Sequence, residues 1–240
     1  AYYDNLYSKR QGYHRPADWW EVPQWQAHIA HSMPNVDHYT VRDPQEAIAF
    51  AKTAGYKNLA FSSLDVTAPF IKELAAALPN QRIAVGGYTD MSMYKDHPNV
   101  TVHPSVQSFV ESEGHQYDPG YDYRHFSGVK VIPRLTLSDG CRHQCTFCCV
   151  PKKVVEVPME TVRQQADAFG KHLDAELVYL NDKTFGQAEN HAELPALYQR
   201  IRAQNPNFKG FIVQTTAAQM RRMTPEFLRD AGIRHVEDRK

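Results

Sequence analysis

All four cysteines of this chain lie in one nine-residue window, Cys141, Cys145, Cys148 and Cys149, within SDGCRHQCTFCCVPK. A disulfide framework spreads its cysteines so that bridges close long loops, whereas this cluster could close almost nothing. Metal or redox chemistry in a reducing cytosol is the better reading of such a cluster.

The first three thiols are spaced C-x3-C-x2-C. On a helix, positions i, i+4 and i+7 would share one face, and the thiols could then be a small apolar stripe. Gly140 before the motif and Pro151 behind it argue against a stable helix. Zinc is the second alternative, but structural zinc favours four ligands in two separate pairs, and the chain has no second pair. Three thiolates suit an iron–sulfur cube in which one iron lacks a cysteine, where four cysteines are usual. An iron left open in this way is a place for a substrate or cofactor. A zinc-binding or non-catalytic iron–sulfur module stays open as an alternative.

The stretch GCRHQCTFC (140–148) resembles the cluster loop of the radical S-adenosylmethionine superfamily, C-x3-C-x-aromatic-C, which follows the first strand of a partial (β/α) barrel. The resemblance implies that Cys141, Cys145 and Cys148 hold a [4Fe–4S] cluster, with Cys149 a bystander. It implies that S-adenosylmethionine chelates the fourth iron and that Phe147 lies against its adenine. Reductive cleavage would then yield a 5′-deoxyadenosyl radical, the electron coming from an external donor such as flavodoxin or ferredoxin. Family members hold the methionine moiety with a segment after the second barrel strand. Here that segment is YLNDKTF, making Asn181 and Asp182 the candidates, although no Gly-Gly-Glu is present. Gln214 and Thr215, ending the third strand, could reach the ribose or carboxylate. Polar residues that merely terminate strands are the plain alternative for each.

The elements that must position these residues are read from periodicity and punctuation. Residues 1–35 are aromatic and irregular; Trp19, Trp20 and Trp25 either line a ligand site or pack over a neighbouring domain. His28 and His31 stand at i, i+3 on a possible short helix, without a third ligand nearby. Residues 36–115 alternate strands (VDHYTV, KNLAFSS, RIAVGGY, VTVHPSV) with helices. One helix is opened by Asp43 and Pro44 and closed by Gly55. That alternation implies a doubly wound parallel sheet, Rossmann-like or flavodoxin-like. Residues 116–128 carry turn formers without a period and read as a linker. Residues 129–240 form a second βα series: VKVIPRL, AELVYLND, FKGFIVQT and IRHVE as strands, with helices after the first three. The fold class is therefore α/β, a cobalamin-binding-type domain followed by an incomplete (β/α) barrel.

The first domain discriminates among branches of the superfamily. Ser62 and Leu64, followed by Gly86 and Gly87, resemble the Ser-x-Leu and Gly-Gly elements of cobalamin-binding domains, where small residues admit a large flat ligand at the strand ends. No Asp-x-His element is present, and a domain that binds no corrin is the alternative. This branch makes cobalamin a further cofactor and methyl transfer a possible reaction; the substrate is not legible. Methylthiotransferases are the competing branch. They carry three further cysteines in their N-terminal domain, and residues 1–140 contain none, so that branch is disfavoured. A full barrel needs about 250 residues and each βα unit about 30. Four strands after residue 129 thus suggest a fragment, poorly stable or inactive by itself. Lys plus Arg and Asp plus Glu balance at 27 each, which offers no global field for nucleic acid. No run approaches the ~20 apolar residues of a membrane span, and a cytoplasmic location is expected.

Overall fold

The computed structural model describes residues 20–21, 24–39, 41, 43–87, 89–126, 131–146, 148, 150–172 and 175–238. The chain divides into two compact units, residues 1–31 with 119–240, and residues 32–118.

The first described elements are β1 (Trp20–Glu21) and α1 (Gln24–Ser32), which belong to the larger unit. His28 and His31 lie on this helix. His28 Nδ1 is 3.0 Å from the carbonyl of Gly120, and its ring meets Tyr121 edge-on. His31 covers Gly120, where an added Cβ would strike the imidazole. Both histidines thus meet the Gly120–Tyr121 stretch from α1.

The smaller unit holds α2 (Pro44–Ala54), β2 (Asn58–Ser63), α3 (Ala68–Ala77), β3 (Arg82–Gly87), β4 (Val100–Val102) and α4 (Val106–Ser112). Asp43 caps α2 by accepting the amide of Glu46, and Gly55 ends it at φ 71°. The sheet order is β2-β3-β4, all parallel, with Asn58 opposite Arg82 and Ser63 opposite Gly87. Ile71, Leu74, Leu78, Ile83 and Val85 make its core. The expected first strand, VDHYTV, is not one: residues 36–39 and 41 form no ladder. The stretch is tied to the end of α2 by side chains instead: Tyr56 donates to Asp37, and its hydroxyl lies 3.0 Å from that of Tyr39.

In the larger unit β5 (Val131–Ile132) pairs with β1, and β6 (Arg134–Leu135) starts the main sheet. The single strand expected over VKVIPRL is thus two short ones, interrupted at Pro133, which has no amide to donate. A short antiparallel ladder of β7 (Ser138–Asp139) and β8 (Val155–Glu156) follows. Then come α5 (Met159–His172), β9 (Leu177–Leu180), α6 (Leu194–Gln204), β10 (Gly210–Thr215), α7 (Ala217–Met220), α8 (Pro225–Asp230) and β11 (Ile233–Asp238). The main sheet runs β6-β9-β10-β11, all parallel. Thr224 caps α8 as its sequence predicts.

Strand alternation gives this sheet two unlike faces. Leu135, Val178, Leu180, Phe211 and Val213 join the core with Val162, Ala166 and Phe169 of α5 and Leu197 and Ile201 of α6. Arg134, Tyr179, Asn181, Gln214 and Glu237 occupy the alternate positions. The stretch read as a linker is not one throughout: Tyr121 and Tyr123 are core residues of the unit. Burial raises the Tyr123 hydroxyl pKa, while Arg124 hydrogen-bonds the Asp122 carboxylate and holds its pKa down. Turn-forming composition hid the two apolar rings.

Candidate functional site

The cysteine loop leaves the sheet at the carboxyl end of β6 and is closed at its root by the β7–β8 ladder. The amide of Cys141 donates to the carbonyl of Pro151 (2.8 Å), and Val157 donates to Leu137 (2.8 Å). Gly140 sits at φ 86°, and a Cβ there would run into the carbonyl of Lys153. Within the loop the amide of Cys148 donates to Cys145, and Lys152 caps the carbonyl of Cys148 (3.0 Å). The described part of the loop is not helical, so the thiols are no helical stripe.

The segment after β9 straps this loop down. Asp182, fully buried, accepts the amide of Leu137 (2.9 Å) and the hydroxyl of Ser138 (2.6 Å), and its Oδ2 lies 2.7 Å from His191 Nε2. The amide of Gly186 donates to His191 Nδ1 (3.0 Å), so the ring proton belongs on Nε2 and points at the carboxylate. Thr184 Oγ1 lies 3.2 Å from Cys141 Sγ, and Gln187 accepts the amide of Arg142 (2.8 Å). Asn190 donates to the carbonyls of Leu137 and Val157. None of Ser138, Thr184, Gln187, Asn190 or His191 stands out by sequence spacing. Their shared role appears only when two segments about 45 residues apart meet.

The expected methionine-moiety residues separate into two groups. Asp182 is spent on the strap, and Thr215, fully buried, donates to the carbonyl of Phe185 (2.7 Å). Both are turned inward: their polar atoms hold the segment 182–191 to its neighbours. Asn181 and Gln214 instead lie on the polar face of the sheet. Arg134 donates to Asn181 Oδ1 (2.8 Å) and stacks over the Tyr179 ring at 4.9 Å. The Tyr179 hydroxyl donates to Glu237 (2.8 Å) and stands 3.3 Å from Gln214 Oε1. Gln24 of α1 accepts from Thr136 (2.9 Å) and donates to the Tyr121 hydroxyl. Burial lowers the pKa of His235 on β11, against the opposing pull of Glu237. A period-two rhythm of polar residues in apolar strands was the signal that could have marked Arg134 and Glu237.

Phe147 and Cys149 lie outside the described residues. Of the three motif thiols, Cys141 is buried, Cys148 intermediate and Cys145 exposed. Among the described residues no three His, Cys, Asp or Glu side chains converge into a metal-binding group. The donor chemistry nonetheless fits an iron–sulfur cluster: three soft thiols share one loop closed at its root. His143, between the first two cysteines, also buries an Nε2 that meets no partner among the described residues, as befits a loop that receives another group.

In the smaller unit, Ser62, Gly86 and Gly87 end adjacent parallel strands, and Leu64 beyond them is 48% exposed. Gly87, at φ 135°, has a reason internal to the sheet: a Cβ would strike the carbonyl of Ser63. Gly86 has room for a Cβ, meeting only the His103 carbonyl at 3.4 Å. Small residues and an exposed leucine at a strand edge suit the approach of a flat ligand.

No protein-family profile matches the chain. In sequence it is similar to ribosomal protein uS12 methylthiotransferases RimO. It is 35% identical to that of Psychrobacter arcticus over 75 residues, 28% of this chain and 14% of the relative. With the Pseudomonas savastanoi pv. phaseolicola protein it shares 28% identity over 162 residues, 57% of this chain and 34% of the relative. The chain therefore spans 14% and 34% of the length of these two relatives. In fold it is similar to the cobalamin-dependent S-adenosylmethionine radical enzyme OxsB with aqua-cobalamin and S-adenosylmethionine bound. That likeness has a TM-score of 0.57 at 11% identity, over 91% of this chain and 41% of OxsB. OxsB with aqua-cobalamin alone gives a TM-score of 0.52 over 78% of the chain. These likenesses bear out the resemblance drawn from the cysteine loop, while the sequence relatives fall in the branch that the missing N-terminal cysteines disfavour.

Proposed function

We propose, from the radical S-adenosylmethionine likeness shared by the motif and the comparisons, that this chain is the cluster-bearing part of such an enzyme. The observation that carries the reading is a C-x3-C-x2-C loop closed at its root and leaving the first strand of a parallel βα sheet. Cys141, Cys145 and Cys148 would hold a [4Fe–4S] cluster, and Phe147 would contact adenine. That cluster would supply one-electron reduction of S-adenosylmethionine in the cytosol, with the electron from a flavodoxin- or ferredoxin-like donor. Arg134 and Asn181 present N–H donors on the polar face and suit the methionine carboxylate; Gln214 and Glu237 border the same face. Ser62, Leu64, Gly86 and Gly87 would receive a corrin, making cobalamin-dependent methyl transfer the favoured outcome.

The test is anaerobic reconstitution of the full-length polypeptide with iron and sulfide, followed by S-adenosylmethionine and dithionite. Formation of 5′-deoxyadenosine or S-adenosylhomocysteine, lost in Cys148→Ser, is expected. A cluster that leaves the cofactor intact would support the non-catalytic module instead. Methylthio transfer is the second reading, favoured by the sequence relatives. A methylthio adduct on a ribosomal protein uS12 peptide would establish it over the first.

A further inference from the structure

We infer that Asp182 is a positioning residue that seats Cys141 in advance as the anchor ligand of the loop, leaving Cys145 and Cys148 to be gathered afterwards. The inference rests on the cluster reading above and adds an order and a cause to it.

The three thiols are unequal. Cys141 is 9% exposed and its sulfur lies 3.2 Å from Thr184 Oγ1, while Cys145 is exposed. What holds Cys141 in place is two residues away from the group that holds the loop root. Asp182 takes the amide of Leu137 and the hydroxyl of Ser138, three residues before Cys141. Thr184, next but one along the same strap, meets the sulfur itself. Gln187 then takes the amide of Arg142 on the other side of the cysteine. Cys141 is thus bracketed on both sides by one segment, and the segment is oriented by the buried Asp182–His191 contact.

A carboxylate is needed at this place because its neighbours are all donors. Leu137 N–H, Ser138 O–H and His191 Nε2–H point at two oxygens, and Gly186 N–H occupies the other nitrogen of the ring. An asparagine can accept at one oxygen, but its amide would face the Nε2 proton of His191. The ring could yield only by moving its proton to Nδ1, which loses the Gly186 bond. Asp182→Asn therefore frees one side of the strap without changing side-chain size.

The experiment measures the alkylation rate of each cysteine in the metal-free full chain by mass spectrometry, with amide exchange of β10 followed in parallel. Wild type is expected to modify Cys145 at least tenfold faster than Cys141. In Asp182→Asn the Cys141 rate should rise about tenfold, with the Cys145 rate and the exchange of Phe211–Val213 unchanged. Thr184→Val, which keeps shape and removes the hydroxyl, should raise the Cys141 rate without touching the strap. Iron bound per chain after reconstitution should fall in Asp182→Asn and recover at higher iron concentration. Equal protection of Cys141 in wild type and both variants would overturn the inference. So would faster exchange throughout β10, which would make Asp182 a general stabiliser of the fold. A wild-type chain that binds no iron while showing the alkylation contrast would defeat the cluster reading and, with it, the anchoring role.

Discussion

Arg134 Nη1 donates to Asn181 Oδ1 at 2.8 Å, joining the first and second strands of the main sheet across its polar face. The contact decides which way the Asn181 amide faces, since its oxygen is already engaged. One Asn181 N–H donates to Gln24 Oε1 at 3.4 Å, so a ligand on that face would meet the second N–H rather than the oxygen, which suits a carboxylate and not an ammonium. A charge-assisted hydrogen bond is worth about 1.5–3 kcal/mol. Arg134→Leu in the reconstituted full-length protein should weaken S-adenosylmethionine binding about 10- to 100-fold by calorimetry, with iron content unchanged. Unaltered affinity would remove Arg134 and Asn181 from the cofactor site.

Gly140→Ala should disable the cysteine loop. The left-handed backbone costs a non-glycine residue about 1–2 kcal/mol, and here the new methyl also meets the Lys153 carbonyl. Iron uptake should drop severalfold while far-UV circular dichroism stays as in wild type. The same change at Gly55, where nothing stands near a Cβ, should cost only its backbone strain.

Phe211 is fully buried near the start of β10, against Phe208 and Tyr198. Truncating such a ring costs about 3–5 kcal/mol. Phe211→Ala should accordingly lower the urea midpoint of the larger unit, read by tyrosine fluorescence or amide exchange. A midpoint equal to wild type would mean that this core does not form as described.

His235 carries a pH dependence of known sign. Burial lowers its folded pKa below the ordinary value of about 6.5, more than Glu237 raises it. Between those two values the unfolded chain holds a proton that the folded chain lacks, so stability falls as pH drops below about 6.5 and levels off beneath the folded pKa. Urea midpoints at several pH values should show this decline, and His235→Gln should flatten its part of it. A steeper decline in the variant would reverse the assignment.

Much of the fold was legible along the chain. Asp43, Pro44 and Gly55 bound one helix, Thr224 and Pro225 begin another, and the apolar runs around Leu59, Ile83, Val178 and Ile212 are strands. Each of these signals acts within a turn or two of backbone, where spacing and residue type suffice. The stretch 36–41 misled because its alternation serves local tyrosine contacts. The 121–123 stretch misled because turn formers surround rings that reach the core.

The sequence by itself determined the chemistry at stake: three thiols at cluster spacing in a loop that Gly140 and Pro151 keep from being a helix. Only the tertiary structure decided which polar residues serve that loop and which share the polar face of the main sheet. Asp182 is consumed by Leu137 and Ser138, far back in the chain, and by His191, and Thr215 by Phe185, whereas Arg134, Asn181, Gln214 and Glu237 share one face. The reason is strand register: side chains alternate faces with a period of two, and neighbours are set by how parallel strands align. Composition and spacing within any single strand do not contain that alignment.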